Sequence, residues 1–147
     1  MPTHGPAQTT QRSLLCPLLA ALTFLSGCAT TTRIYVKSKE TTNDGNTMYM
    51  AVRTVDPKAA TLNEPYQQSA AKLFTDPPDP TIITTQPIFP GDSAAVTLDN
   101  IDKDVVVSFF FTSPGPNWRV PLHRPLPAEI YIDLGQHQVE RVQVKKR

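Results

Sequence analysis

The sequence predicts a mainly β fold, an antiparallel β-sandwich of about seven to eight short strands with one short inserted helix. Short apolar runs recur along the chain and are separated by turn-forming residues, a pattern typical of strands. The 15 prolines lie between these runs and do not interrupt the best strands, which favours ordered turns over disorder. The same spacing is also compatible with a β-barrel.

The amino terminus has the features of a secretory signal, predicted to span residues 1–27 and to be cleaved. Its one fixed side-chain charge is Arg12, and an apolar run follows over residues 14–25. This run is shorter than the roughly 20 apolar residues that a membrane-spanning helix requires. It is followed by small residues, as the cleavage site of a signal peptide is.

Residues Leu25-Ser26-Gly27-Cys28 resemble the bacterial lipobox. The resemblance implies cleavage before Cys28 and a covalent lipid on its thiol, with acyl chains numerous enough for stable anchoring. Because Ala29 follows where an aspartate would favour retention in the inner membrane, it also implies the inner leaflet of the outer membrane. A buried apolar cysteine is the alternative interpretation, and Cys16, which follows Leu15 inside the apolar run, is a poorer candidate for lipidation.

The chain from residue 28 onward fits one domain, with a lipidated tether predicted at 28–32 and the sandwich at 33–147. Loss of the signal removes only Arg12 from 14 basic residues and none of the 13 acidic ones, so the formal charge is near zero. A strong field for nucleic acid is therefore not expected. No cysteine follows Cys28, so no intramolecular disulfide can form in the predicted mature chain, and packing must stabilise the domain.

The first half of the domain alternates strands with polar segments. A first strand is predicted at 33–37 from its Ile, Tyr and Val residues, and an exposed, protruding loop at 38–46 from its turn-forming residues. A second strand at 47–55 places Met48, Met50 and Val52 on one face. The three- and four-residue spacing of Tyr66, Ala70, Leu73 and Phe74 then predicts a short amphipathic helix, which prolines 77 and 78 end.

The second half consists of strands separated by proline-, glycine- and asparagine-containing turns. The segment at 105–112 is apolar on both faces, which predicts a central strand covered on both sides. The last segment alternates in polarity, which places it nearer an edge. Strands are predicted at 81–85, 94–98, 105–112, 130–134 and 138–145.

The sequence gives no indication of an enzyme or of a metal site. The histidines have no partner at ligand spacing, so His123 is interpreted as a surface residue. Asp99, Asp102 and Asp104 lack the glycine and glutamate of a calcium loop and fit a hairpin turn better. We expect no cofactor apart from the lipid on Cys28. Trp118 has two interpretations: closing the end of the core, which is favoured, or forming part of a binding surface.

The order of these features resembles the TssJ family, the lipoproteins of type VI secretion. The resemblance covers nearly all of the predicted mature chain. The features are the lipobox, a strand, a polar loop, a strand with Arg53 near its end, a short helix with Phe74, the turn Pro90-Gly91-Asp92, a Val-rich strand and the pair Trp118-Arg119. In two places the likeness is looser, since the helix region matches less closely and the longest strand is unusually rich in Phe.

The resemblance implies a transthyretin-like β-sandwich on the periplasmic side of the outer membrane. It also implies a partner, the periplasmic C-terminal region of a large inner-membrane subunit (TssM-like), which the family contacts through the loop between its first two strands. The corresponding residues here are Lys39, Glu40, Thr41, Thr42, Asn43, Asp44, Gly45 and Asn46. Of these, Glu40, Asn43 and Asp44 are expected to give polar specificity, although a loop of this composition can also be merely solvated.

A second hypothesis is a periplasm-facing lipoprotein that binds a glycan or acts as a chaperone-like module. It predicts a concave aromatic patch formed by Trp118 and neighbouring tyrosines.

Overall fold

A computed structural model describes Met1 and residues 30–55 and 63–146. The rest of the predicted signal, Cys28, Ala29, residues 56–62 and Arg147 lie outside the described residues. Two 3₁₀ turns accompany the regular elements, at Thr42–Gly45 and Lys72–Phe74. The elements are β1 (Thr31–Lys37), β2 (Met48–Val55), α1 (Tyr66–Ala71), β3 (Ile82–Ile88), β4 (Ser93–Asp99), β5 (Asp104–Phe110), β6 (Arg119–Leu122), β7 (Glu129–Leu134) and β8 (Val139–Lys145).

The strands form two four-stranded sheets, which confirms the predicted mainly β sandwich. The first sheet has the order β4-β1-β7-β8 and the second the order β3-β2-β5-β6. All pairs are antiparallel except β1–β7, which is parallel. The parallel pair departs from the antiparallel prediction. Strands β1 and β7 are not joined by a hairpin, since β2 to β6 lie between them in the chain, and they run in the same direction. The turn at 100–103 likewise crosses between the sheets, so it is not the predicted hairpin.

The core lies between the sheets and is built by alternate residues of each strand. On β2, Met48, Met50 and Val52 face the core as predicted, and Val107 and Phe109 on β5 are fully buried. Burying such side chains stabilises a fold by roughly 1.5–3 kcal/mol each. The full core comprises Ile34, Val36, Met48, Met50, Val52, Ile88, Val96, Leu98, Val105, Val107, Phe109, Phe111, Trp118, Val120, Leu122, Ile130, Ile132, Leu134 and Val139.

The prediction of a central strand at 105–112 is confirmed by β5. It lies inside the second sheet, and its outer-facing Val106 and Ser108 are buried as well as its core-facing residues. The segment that joins β2 to β3 contains α1, and its Glu64 and Ser69 contact Arg53 on the neighbouring strand β2. The predicted edge position of the last strand is also confirmed, since β8 pairs only with β7.

Strand boundaries differ from the sequence prediction in several places, most of all in β1 and β3, and one strand was missed. Strand β1 begins at Thr31, two residues earlier than predicted, because Thr31 and Thr32 pair with β4. Strand β3 continues through Pro87 to Ile88, and β6 was not predicted at all because it is only four residues long and contains Pro121. Both prolines are accommodated because β3 and β6 are edge strands, where a missing backbone donor does not break the sheet.

Helix α1 is anchored by Arg53, which is 1 % exposed on the outer face of β2. Its guanidinium donates to Glu64 at 2.8 Å, to the Ser69 hydroxyl at 3.2 Å and to the Thr81 hydroxyl at 3.1 Å. Lys72 completes the group by an ion pair with Glu64. The buried face of α1 therefore includes Ser69, and Phe74, predicted on the apolar face, is largely exposed.

The strand directions give the sandwich two distinct ends. The tether end comprises Thr30 and the connections at 100–103 and 123–128, together with the end of β8. The loop end comprises the connections β1–β2, β3–β4, β5–β6 and β7–β8. The 7-residue strand β1 joins the two ends, and at about 3.3 Å per residue it separates them by about 20 Å.

Candidate partner-binding surface at the loop end

The β1–β2 connection is fixed to its neighbours through Asn43, which is 1 % exposed. Its backbone N–H donates to the carbonyl of Gln136 at 2.7 Å. Its side-chain oxygen accepts from the N–H of Thr112 at 2.7 Å, and its side-chain nitrogen donates to the carbonyls of Asn46 and Thr47. One side chain thus ties the β1–β2 loop to the β5–β6 connection, and its backbone ties the loop to the β7–β8 connection.

The tip of the loop has three successive residues in the left-handed region, Asn43 (φ 52°), Asp44 (φ 54°) and Gly45 (φ 76°). Glycine adopts this conformation without steric cost, and asparagine and aspartate are the side chains that tolerate it best. The sequence Asn-Asp-Gly therefore encodes the shape of the tip. Non-glycine residues held in this region are enriched at functional sites.

The tip presents Asp44, Gly45 and Asn46 to solvent. The Asp44 carboxylate accepts a hydrogen bond from the Gln136 side chain at 2.7 Å, and the Nε2 atom of His137 lies 3.5 Å from it. These contacts hold the acidic group in one position beside the β7–β8 turn. The sequence did not indicate Gln136 or His137, because only the fold brings them to the loop.

The first residues of the loop are also held by contacts with their neighbours, although the side chains of Lys39 and Glu40 remain exposed. The Lys39 N–H donates to the buried Thr42 hydroxyl at 2.9 Å, and the Lys39 ammonium pairs with Glu140 at 2.5 Å. Glu40 packs over Gly91 (φ 82°), where an added Cβ would lie 3.3 Å from the Glu40 Cγ. Gly91 is thus favoured by its left-handed conformation, and a Cβ at this position would be in tight contact with Glu40.

The β3–β4 connection adds an exposed aromatic residue to this surface. The Ser38 hydroxyl lies 2.9 Å from the carbonyls of both Phe89 and Asp92, which fixes this connection against the loop. The Phe89 side chain remains 52 % exposed beside these polar groups. Sequence reasoning missed Phe89, although an apolar residue directly before the Pro90-Gly91 turn is a signal that could have indicated it.

The predicted loop residues thus differ in their exposure. Lys39, Glu40, Thr41, Asp44, Gly45 and Asn46 are exposed as expected, whereas the prediction of an exposed, protruding loop at 38–46 is wrong for Ser38, Thr42 and Asn43. These three are buried because their polar side chains satisfy backbone groups inside the loop and beyond it. Asn43 therefore shapes the surface and is not available for the direct polar specificity expected of it.

Trp118 closes the core, which confirms the favoured interpretation of this residue. It is 8 % exposed, and its ring meets Tyr66 edge-on with ring centroids 5.0 Å apart. The Arg119 guanidinium stacks 4.7 Å from the indole centroid, and burial raises the pKa of Tyr66 to about 12. The second hypothesis predicted a glycan-binding surface built on Trp118, and this prediction is therefore wrong.

Within residues 30–55 and 63–146, no group of three or more His, Cys, Asp or Glu side chains is arranged to hold a metal ion. His123 lies on the surface with its Nδ1 2.9 Å from Asp104. In the same part of the chain, no helix has the length and apolar character needed to cross a membrane.

Known proteins share this architecture. A protein named Lip from Serratia marcescens, described as a membrane-bound component of the type VI secretion system, matches with a TM-score of 0.62 and 12 % identity. The match covers 78 % of this chain and 97 % of Lip. The type VI secretion lipoprotein TssJ1 from Pseudomonas aeruginosa matches with a TM-score of 0.59 and 12 % identity, over 80 % of this chain and 98 % of its own.

A third similar chain comes from a structure described as the TssM C-terminal domain from EAEC, with a TM-score of 0.60 and 20 % identity over 77 % of this chain and 97 % of that one. A comparison with curated protein sequences gave no significant match. The family model of the IglE N-terminal domain matches residues 49–134, more than half of the chain. The chain therefore belongs to the IglE N-terminal domain family, and the resemblance to the type VI secretion lipoproteins found in its sequence is confirmed in its fold.

Proposed function

We propose that this protein is the outer-membrane lipoprotein of a type VI secretion membrane complex. In this proposal the lipid on Cys28 anchors it to the inner leaflet, and its loop end binds the periplasmic C-terminal region of a TssM-like inner-membrane subunit. The role is to tether the complex and involves no catalysis. The observation that carries the proposal is the rigid, strained loop tip at the end of the sandwich opposite Thr30.

The position of the loop suits a contact across the periplasm. Because β1 starts next to the predicted anchor and ends at the loop, the binding surface would face away from the outer membrane. A subunit that extends from the inner membrane approaches from that side. The same fold in Lip and TssJ1, both named as type VI secretion proteins, supports this role.

The internal hydrogen bonds of the loop favour tight binding. Asn43 and Thr42 hold the backbone in one shape before any partner arrives. Association then costs less conformational entropy than it would with a flexible loop of the same composition. The exposed Asp44 and Glu40 supply polar contacts and Phe89 supplies an apolar one, a combination that gives both specificity and buried area.

The most direct test places a large side chain on the loop without disturbing its internal bonds. Thr41 is exposed and makes no side-chain capping bond, so Thr41→Arg should leave the fold intact. The matched control is Thr97→Arg, the same change at an exposed position of β4. Affinity of the detergent-solubilised lipoprotein for the purified TssM-like fragment is then measured by interferometry.

We expect Thr41→Arg to weaken binding by about tenfold or more, which corresponds to a clash of roughly 1.4 kcal/mol, and Thr97→Arg to leave it unchanged. Equal affinities for the two folded variants would show that the loop is not the contact surface. Thermal melts of both variants establish that they are folded.

A further inference from the structure

The tether end contains an apolar cleft of about 820 Å³, lined by residues of the first sheet and by the connections at 100–103 and 123–128. Its size falls within the range of small-molecule sites. Two basic residues, Arg124 and Lys146, stand among the lining residues, and Thr30 lies at the cleft as well. The apolar lining consists of Leu98, Ile101, Pro125, Leu126, Pro127 and Val144.

We infer that this cleft holds one acyl chain of the lipid carried by Cys28. The inference rests on the proposed lipidation of Cys28 and deepens it, because the lipid would then orient the domain as well as anchor it. The ligand chemistry is a long, unbranched hydrocarbon chain, and its source is the protein's own lipid.

The position of Thr30 provides the first argument. Its N–H donates to the Asn100 side chain at 3.2 Å and its carbonyl accepts from the Asn100 N–H at 2.9 Å, so the start of the described chain is fixed at the cleft. Cys28 precedes Thr30 by two residues. Two residues span at most about 7 Å, so the lipidated sulfur is within reach of the cleft.

The walls of the cleft are held together by the chain segments that form it. The Thr32 hydroxyl donates to the carbonyl of Pro127 at 2.8 Å, and the N–H of Ala128 donates to the carbonyl of Lys145 at 3.1 Å. These bonds connect β1, the β6–β7 connection and the end of β8. The cleft is therefore formed in the folded domain and does not require a ligand to create it.

The energetics favour an occupant that is already close. Val144 is 52 % exposed, and Ile101 and Leu126 are only partly buried against the core, so an empty cleft leaves apolar surface in water. A hydrocarbon chain that fills it removes this surface from water. Attachment through Cys28 makes the binding intramolecular, which raises the effective concentration of the chain at the cleft. Arg124 and Lys146 would face the phosphates of neighbouring lipids.

The test uses the full-length lipoprotein from a bacterial host fed a long-chain fatty acid with a diazirine near its end. Membranes are irradiated, and crosslinked peptides are identified by mass spectrometry. Val144→Glu places a charge in the cleft, and Val142→Glu is the matched control, since Val142 is an exposed valine on the same strand that does not line the cleft. Val144→Thr and Val142→Thr form a milder pair in case the glutamate variants do not fold.

We expect crosslinks to the peptides that contain Leu126 or Val144, reduced about tenfold by Val144→Glu and unchanged by Val142→Glu. A labelled Cys28 without crosslinks to the cleft, or equal yields in the two variants, would overturn the inference while leaving the anchor intact. An unlabelled Cys28 would instead overturn the anchor and the inference with it. A Cys28→Ser variant that crosslinks equally well to diazirine phospholipid in vesicles would identify free lipid as the occupant and exclude the lipid on Cys28.

Discussion

The side chain of Asn43 satisfies three backbone groups with a single amide. It accepts from Thr112 and donates to the carbonyls of Asn46 and Thr47, and its own backbone lies in the left-handed region. Asparagine is suited to both tasks, because its amide carries a donor and an acceptor and it tolerates this conformation. The loop end therefore depends on one residue that does not itself face the solvent.

Replacing Asn43 by alanine should destabilise the protein by about 2–5 kcal/mol. The change leaves the Thr112 N–H without its acceptor, at a cost of roughly 1–3 kcal/mol, and places a Cβ-bearing residue without a local hydrogen bond in the left-handed region, at roughly 1–2 kcal/mol. Urea unfolding measures the total. Asn43→Gly removes the same hydrogen bonds, but glycine adopts the left-handed conformation without strain. This variant should therefore lose less stability than Asn43→Ala. Equal losses in the two variants would contradict the conformational part of the argument.

At the scale of elements, the segment between β2 and β3 is held to the sheet by ionic contacts. Desolvation of Glu64 acts to raise its pKa, but hydrogen bonds from Lys72 and Arg53 together with their positive charges outweigh it, and the net pKa is lowered from 4.5. A carboxyl whose pKa is lower when folded stabilises the protein above its unfolded pKa. That contribution is lost as the pH falls through the folded value.

The Glu64→Gln variant should therefore be less stable than the wild type at pH 7, and the difference should shrink below a pH of about 4.5. Loss of the carboxylate leaves Arg53 buried without its counter-charge, which costs roughly 3–5 kcal/mol. Urea unfolding of both proteins between neutral and acidic pH gives this difference directly. A difference that stays constant with pH would contradict the role of the Glu64 charge.

The elements also show which features the sequence could predict. Strands β2, β5 and β8 were predicted close to their observed positions. In each of them the side chains either alternate between apolar and polar residues or are almost all apolar over the whole strand. Strand β6 and the far end of β3 were missed because a proline within a short segment is acceptable only at a sheet edge, and edge position is a property of the assembled sheet. The loop was located, yet the burial of Asn43 was not predicted, because its partner Thr112 lies 69 residues away.

At the scale of the whole molecule, the sandwich separates two sites by the length of β1. The loop end carries polar side chains and Phe89, and the tether end carries the apolar cleft beside Thr30. The core between them is continuous, so the domain acts as a rigid spacer of about 20 Å between its two ends. If each end has its own function, a change at one end should leave the other unaffected.

Replacing Cys28 by serine tests this independence. Without the thiol no lipid can be attached, so the variant should lose fatty-acid labelling and no longer sediment with outer-membrane fractions. Its affinity for the TssM-like fragment should equal that of the wild type, because Thr41 and the rest of the loop lie at the far end. Thr41→Arg should show the reverse pattern, with normal labelling and sedimentation and weakened binding. Persistent labelling of Cys28→Ser would show that Cys28 is not the anchor, whereas a loss of affinity in the folded variant would show that the two ends are coupled through the sandwich.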